Sequence, residues 1–186
     1  MDWGSVAERA QFAIIGATGV AALYVANRQL AAFNRNELVR NTLKVLDDCR
    51  QPTTLRDLSI SPLNAAARVN QVASDPAERD LFKRLCQARS RGRYDPDMLP
   101  RVKWASEIDY SIAITRNFFI DLLDLIQRGL VDKVMILRKL SGIIIKASAS
   151  MEILNDGSLS LEAASKLAAM ARECQLPETD NGATIE

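Results

Sequence analysis

The chain contains no histidine among its 186 residues. Histidine is the base in Ser-His-Asp and Cys-His catalysis, a common ligand of zinc and haem, and part of the Glu-x-x-His motif of di-iron proteins. These two kinds of catalysis, histidine-ligated zinc and haem, and this di-iron motif are therefore excluded. The sequence also lacks GxxxxGK[ST] and GxGxxG, which form the common phosphate-binding loops. We expect a protein that is not an enzyme and has no catalytic, cofactor-binding or metal-binding residues.

Cysteine is also scarce, because only Cys49, Cys86 and Cys174 are present and no CxxC spacing occurs. An odd, scattered set argues against a disulfide framework and against zinc, and it suits a reducing compartment. The formal net charge is only +1, so the composition predicts no nucleic-acid partner. Alternating β-branched residues are nearly absent, whereas apolar residues recur at helical spacing, which predicts an all-α fold.

An uncharged run from Ala10 to Asn27 is the most distinctive segment of the chain. As a helix it would cover roughly 27 Å, slightly less than the ~30 Å of a bilayer core, and the flanking Arg9 and Arg28 could extend it. We interpret it as a membrane anchor. The apolar residues expected to meet the lipid are Phe12, Ile14, Ile15, Val20, Leu23, Tyr24 and Val25.

Basic residues follow the run, and Lys/Arg enrichment marks the cytoplasmic side of a membrane. The expected localisation is the inner (cytoplasmic) membrane as a single-pass protein, with the N-terminus outside and the C-terminal domain in the cytosol. The predicted organisation is an anchor at residues 1–28, a cytosolic helical domain at 29–176 and a disordered tail at 177–186. The anchor would place the domain at the membrane face, where it contacts a protein partner or a second copy.

The composition of the run also permits a second interpretation. It is rich in alanine and glycine, and small residues recur every four positions at Ala13, Ala17 and Ala21. Such stripes let helices approach closely. The alternative is a soluble all-α oligomeric protein in which this helix is a subunit or partner interface.

Helix signals continue along the chain. The first helix is expected to run on without Gly or Pro to about Cys49, ending before Pro52, whereas TTLRDLSIS between Pro52 and Pro62 is ambiguous. Asp75 and Pro76 form an N-cap and first helical position. Towards the C-terminus, Ser158 or Ser160 is expected to cap a last helix that begins near Leu161.

The predicted core lies between residues 102 and 154. In the first of two helices, residues 102–128, the inward stripe contains Ile108, Ile112, Phe119, Leu122, Leu123 and Ile126. Gly129 suits a left-handed C-cap, and a second helix follows at residues 131–154. Its expected inner residues are Val134, Leu137, Leu140, Ile144 and Met151. The short connection predicts an antiparallel helical hairpin.

Charged residues offer two further candidates. Asp121 and Asp124 share a helix face, but Asp124 lies four residues before Arg128, which favours a surface ion pair over acid–base catalysis. A basic cluster offers a contact for anionic lipid or a protein partner. The alternatives are a solvated or internally paired face and a nucleic-acid contact, which the near-zero net charge disfavours. The members of the cluster are Lys83, Arg84, Arg89, Arg91 and Arg93.

Two segments resemble a bacterial family of uncharacterised membrane-anchored helical proteins, domain-of-unknown-function family 4760. One is ALYVANRQLAAFNRNELVRNTLKVLDD, and the other is NFFIDLLDLIQRGLVDKVMILRKLSGII, with its RGL turn. The resemblance implies an N-terminal anchor followed by a helical bundle, and it brings no activity or cofactor with it.

Overall fold

The computed structural model describes residues 3–55, 58–91, 99–155, 157 and 159–175. Within these ranges, side-chain exposure is described except at residues 3–22, 54–55, 58 and 99. The chain divides into two compact units, residues 1–40 and residues 41–186. The predicted tail at 177–186 lies outside the described residues, and the predicted domain limits stay predictions.

The all-α fold class is confirmed, because helices form most of the described chain. In chain order they are α1 (Trp3–Asp48), α2 (Pro62–Ser74), α3 (Pro76–Ser90), α4 (Leu99–Gln127), α5 (Lys133–Leu154) and α6 (Glu162–Glu173). Two short strands, β1 (Thr53–Leu55) and β2 (Leu58–Ile60), separate α1 from α2. The ambiguous TTLRDLSIS segment is therefore a small antiparallel sheet, in which Thr53 pairs with Ile60.

The predicted membrane anchor is corrected by the structure. In the described part of the chain, no helix is both long and apolar enough to cross a membrane. This finding contradicts the single-pass arrangement, the placement of the N-terminus outside and the inner-membrane localisation. The physical reason lies in composition: eight of the eighteen residues from Ala10 to Asn27 are Ala or Gly, which contribute little apolar surface.

The residues assigned to that anchor fall into two groups. The side chains of Phe12, Ile14, Ile15 and Val20 lie outside the described residues. By contrast, Leu23, Tyr24 and Val25 are described, and all three are exposed.

Local capping signals are confirmed at α3. The Asp75 carboxylate accepts hydrogen bonds from the backbone amides of Ala77 (2.8 Å) and Glu78 (3.3 Å), and Pro76 occupies the first turn. These contacts satisfy two of the amides that a helix start leaves without partners. The equivalent prediction for α6 is wrong at Ser160, because the residue at the N-cap is Leu161, which makes no side-chain cap. Ser158 lies outside the described residues.

The C-terminus of α4 ends as the sequence predicts. Gly129 has φ +66°, in the left-handed region that glycine adopts at little cost. The Gly129 amide donates to the Ile126 carbonyl (3.1 Å), and the Leu130 amide donates to the Leu125 carbonyl (3.0 Å). This pair of bonds is a Schellman motif, which stops the helix and turns the chain.

The core of residues 41–186 is built from α2, α4, α5 and α6. The predicted α4 stripe is confirmed, because Ile108, Ile112, Phe119, Leu122, Leu123 and Ile126 are all buried. On α5, Leu137, Leu140, Ile144 and Met151 are also buried. Val134 is exposed, so its predicted inward position is wrong. It lies in the first turn of α5, before the buried stretch of the helix begins at Ile136.

The predicted antiparallel hairpin of α4 and α5 is not confirmed. These helices contact each other much less than either contacts α2, which packs against both of them. The buried residues of α2 are mostly small, including Ala65, Ala66, Val69 and Ala73. Small side chains let a helix approach its neighbours closely, so α2 fits where a direct contact between α4 and α5 was expected.

Candidate functional site

An exposed apolar stripe follows α1 from residue 23 to residue 33. It comprises Leu23, Ala26, Leu30 and Phe33, which are separated by three, four and three residues and therefore share one face of the helix. Leu30 is 58% exposed and Phe33 is 61% exposed. Single exposed apolar residues are ordinary, but large ones in a row on one helix face mark an interaction surface. We call these four residues the α1 seam.

Uncharged amide residues border the α1 seam. In a seven-residue repeat with Leu23 and Leu30 in the first position, the positions beside the seam are Asn27, Gln29, Asn34 and Asn36. The arginines of this segment, Arg28 and Arg35, fall on the opposite side of the helix. A helix that paired along the seam would therefore meet no charged residue at its border.

The structure places only part of the basic cluster at one site. Lys83 and Arg89 on α3 line a cleft, whereas Arg84, also on α3, and Arg91, which follows the end of α3, are not among its lining residues. Arg93 lies outside the described residues. The prediction that the five residues form one contact for lipid or a partner is not tested by this arrangement.

The cleft lies between α3, α4 and the C-terminal part of α5, and its volume is about 700 Å³. We call it the α3–α5 cleft. One wall carries an ion pair, in which Arg89 Nη1 lies 2.5 Å from Asp109 Oδ2. Other polar side chains that line it are Lys83, Gln87, Ser90 and Asn155. Its apolar lining comes from Phe82, Ile112, Met151, Leu154, Leu159 and Leu161.

The α3–α5 cleft has no counterpart in the sequence patterns. Its lining comes from segments around residues 82–90, 109–112 and 151–161, which are far apart along the chain. Lys83 and Arg89 were visible as part of a charge cluster, but no local pattern connected them with Met151 or Leu159. Only the packing of three helices brings these residues to one site.

A smaller hollow of about 310 Å³ lies beside the C-terminal end of α1. Its lining includes Val45, Cys49, Phe118 and Leu122 and is mainly apolar. Cys49 is buried, and this burial raises the pKa of its thiol. The Cys49 Sγ donates a hydrogen bond to the Leu46 carbonyl at 3.1 Å. A thiol held in its neutral form is a poor nucleophile, so these features give Cys49 a structural role.

The ion pair predicted between Asp124 and Arg128 is present in the structure. Arg128 Nε donates a hydrogen bond to Asp124 Oδ1 at 2.9 Å. Asp124 lies on α4 and Arg128 directly follows its end, four residues later, so the predicted ion pair is confirmed. Within the described residues, no group of three or more Cys, Asp or Glu side chains is placed to hold a metal ion.

No protein-family model, curated protein or solved structure matches this chain. The resemblance to domain-of-unknown-function family 4760 therefore stays a prediction, and function must be argued from the residues themselves.

Proposed function

We propose that this chain is a non-enzymatic, all-α interaction protein that associates with a second copy of itself through helix α1. The observation that carries the proposal is the α1 seam, a row of exposed apolar residues on one helix face. The spacing of three and four residues is that of the contact line between two helices in a coiled coil. Burial of Leu30 and Phe33 against an identical helix would remove this surface from water, at roughly 25 cal/mol per Å² of apolar area.

The border of the seam supports a second copy as the occupant. Charged residues beside a coiled-coil contact line select partners by attraction and repulsion. Here those positions hold Asn27, Gln29, Asn34 and Asn36. Two identical helices would therefore not repel each other, and a partner with a charged flank would gain no specific attraction.

The sequence before the seam supports a longer contact. Residues 10–27 carry no charge, and in the same seven-residue repeat the contact positions before Leu23 are Phe12, Gly16 and Gly19. Glycine and alanine in this stretch would let the two backbones approach closely.

The non-enzymatic part of the proposal is supported by the sequence. A chain without histidine and without a phosphate-binding loop lacks the groups of the commonest catalytic sites. Association through a helix face requires none of these groups.

Sedimentation velocity of the full chain tests the proposal. The test variant is Leu30→Glu combined with Phe33→Glu, which places charges in the seam. The matched control is Val25→Glu combined with Val39→Glu, since both valines are exposed on α1 but lie away from the seam. We expect the unaltered chain and the control to be dimeric, and the seam variant to be monomeric with unchanged helix content by circular dichroism.

Two results would overturn the proposal. One is a chain that stays monomeric at every protein concentration. The other is a control variant that dissociates as completely as the seam variant, which would show that the position of the charge is irrelevant.

A further inference from the structure

We propose that the α3–α5 cleft binds a medium-chain aliphatic carboxylate, with the carboxylate at Lys83 and the hydrocarbon chain along the apolar lining. The inference goes beyond self-association and is independent of it, because the cleft lies in residues 41–186 and contains no residue of the α1 seam.

The size of the cleft suits a small organic molecule. Sites for such ligands typically measure ~300–1,000 Å³ and combine an apolar lining with a few polar groups. The α3–α5 cleft has about 700 Å³ and this mixture of residues. Leu159, in the connection between α5 and α6, lines the cleft and is still 38% exposed. A hydrocarbon chain placed there would cover apolar surface that now faces water.

Charge in the cleft selects a ligand with a single negative charge. Lys83 and Arg89 both line it, but Arg89 is neutralised by Asp109 at 2.5 Å. Within the described part of the chain, the Lys83 ammonium has no ion-pair or hydrogen-bond partner. One unpaired ammonium matches a carboxylate, whereas phosphates are commonly held by several cations or by arginine forks.

Lys83 is the group expected to bind the carboxylate, because neighbouring polar side chains in the cleft already have hydrogen-bond partners. The Asn155 carboxamide is already engaged, because Nδ2 donates to the Leu159 carbonyl and Oδ1 accepts from the Leu159 amide. Ser90 Oγ donates to the Gln87 carbonyl at 2.8 Å. The Gln87 side chain, one turn from Lys83 on the same face of α3, can donate a second hydrogen bond to the carboxylate.

Isothermal titration calorimetry of the full chain with decanoate and with decan-1-ol tests the proposal. The two probes share a hydrocarbon chain and differ in the charge of the head group. We expect decanoate to bind about tenfold more tightly than decan-1-ol, and Lys83→Gln to abolish this difference. The matched control is Arg84→Gln, which removes the same charge from the next residue of α3, outside the cleft.

The reactivity of the cysteines tests whether decanoate binds in the α3–α5 cleft. Cys86 lines the cleft and Cys174 does not, so decanoate is expected to slow the reaction of Cys86 with a thiol reagent and to leave Cys174 unaffected. Equal binding of decanoate and decan-1-ol would overturn the proposal. So would equal losses in Lys83→Gln and Arg84→Gln, which would show a general charge effect, or protection of neither cysteine.

Discussion

The buried hydroxyl of Thr42, near the C-terminal end of α1, accepts a hydrogen bond from the backbone amide of Asp132 at 2.7 Å. The two residues are 90 positions apart in the chain. Asp132 is also the N-cap of α5, because its carboxylate accepts from the Met135 amide at 2.9 Å. The neighbouring Asn41 donates its side-chain amide to the Leu130 carbonyl at 3.2 Å. The last turns of α1 are thereby joined to the connection between α4 and α5.

The first prediction concerns this connection. Thr42→Val keeps the shape of the side chain but leaves the partly buried Asp132 amide without its hydroxyl acceptor. We expect a loss of about 1–2 kcal/mol in the free energy of unfolding, measured by urea denaturation. The control is Thr53→Val, since Thr53 is exposed and its change should be within about 0.5 kcal/mol of zero. Equal effects at the two threonines would contradict the assigned role of Thr42.

The second prediction compares two glycines. Gly129 has φ +66°, so Gly129→Ala places a side chain in a strained backbone conformation and is expected to cost about 1 kcal/mol. Gly142 lies inside α5 with open space where a Cβ would be added. Gly142→Ala is therefore expected to stabilise the fold by about 0.5–1 kcal/mol, because alanine favours the helix.

Thermal and urea unfolding of the two variants measure this difference. Both changes add the same methyl group, so their opposite signs isolate the backbone conformation as the cause. Destabilisation by Gly142→Ala would show that the added methyl group is not accommodated on α5.

The third prediction concerns pH and the Cys49 thiol. Burial raises its pKa in the folded state, so the folded protein keeps this proton at a pH where the unfolded chain has released it. The contribution of the protonated Cys49 thiol to the free energy of unfolding is fully present below about pH 8.5, the pKa of an unfolded cysteine. It is lost as the pH rises through the pKa of the thiol in the folded protein. We expect the free energy of unfolding to fall more steeply above about pH 8.5 in the unaltered chain than in Cys49→Ala.

Urea denaturation of both proteins across this pH range makes the comparison. The other ionisable groups are common to the two proteins, so the difference between the slopes reports Cys49. Parallel curves would show that the thiol ionises alike in the folded and unfolded chain.

Local signals in the sequence were sufficient for several elements. Asp75 followed by Pro76 predicts the start of α3 because a carboxylate and a proline satisfy helix-start requirements within a few residues. Gly129 predicts the end of α4 for a similar reason, since few other residues adopt a left-handed conformation cheaply. The burial of Ile108, Phe119 and Ile126 follows from helical periodicity.

Sequence patterns did not predict what covers an apolar helix face. The uncharged run before residue 28 predicts a lipid-facing helix, yet no described helix is long and apolar enough to span a membrane. The short connection between α4 and α5 predicts that these two helices pack against each other, but α2 contacts both instead. A stripe shows that a helix face is apolar, and it does not identify what covers that face.

The sequence by itself determined the helical class, the cap at the start of α3, the end of α4, the inward face of α4 and most of that of α5, and the absence of histidine chemistry. These properties depend on neighbouring residues, whose interactions are set within one or two helical turns. Only the tertiary structure decided that α2 packs against both α4 and α5, that Thr42 bonds to Asp132, and that Lys83 and Leu159 share a cleft. Such contacts depend on the shapes of segments far apart in the chain, and close packing selects among them only when the whole core is assembled.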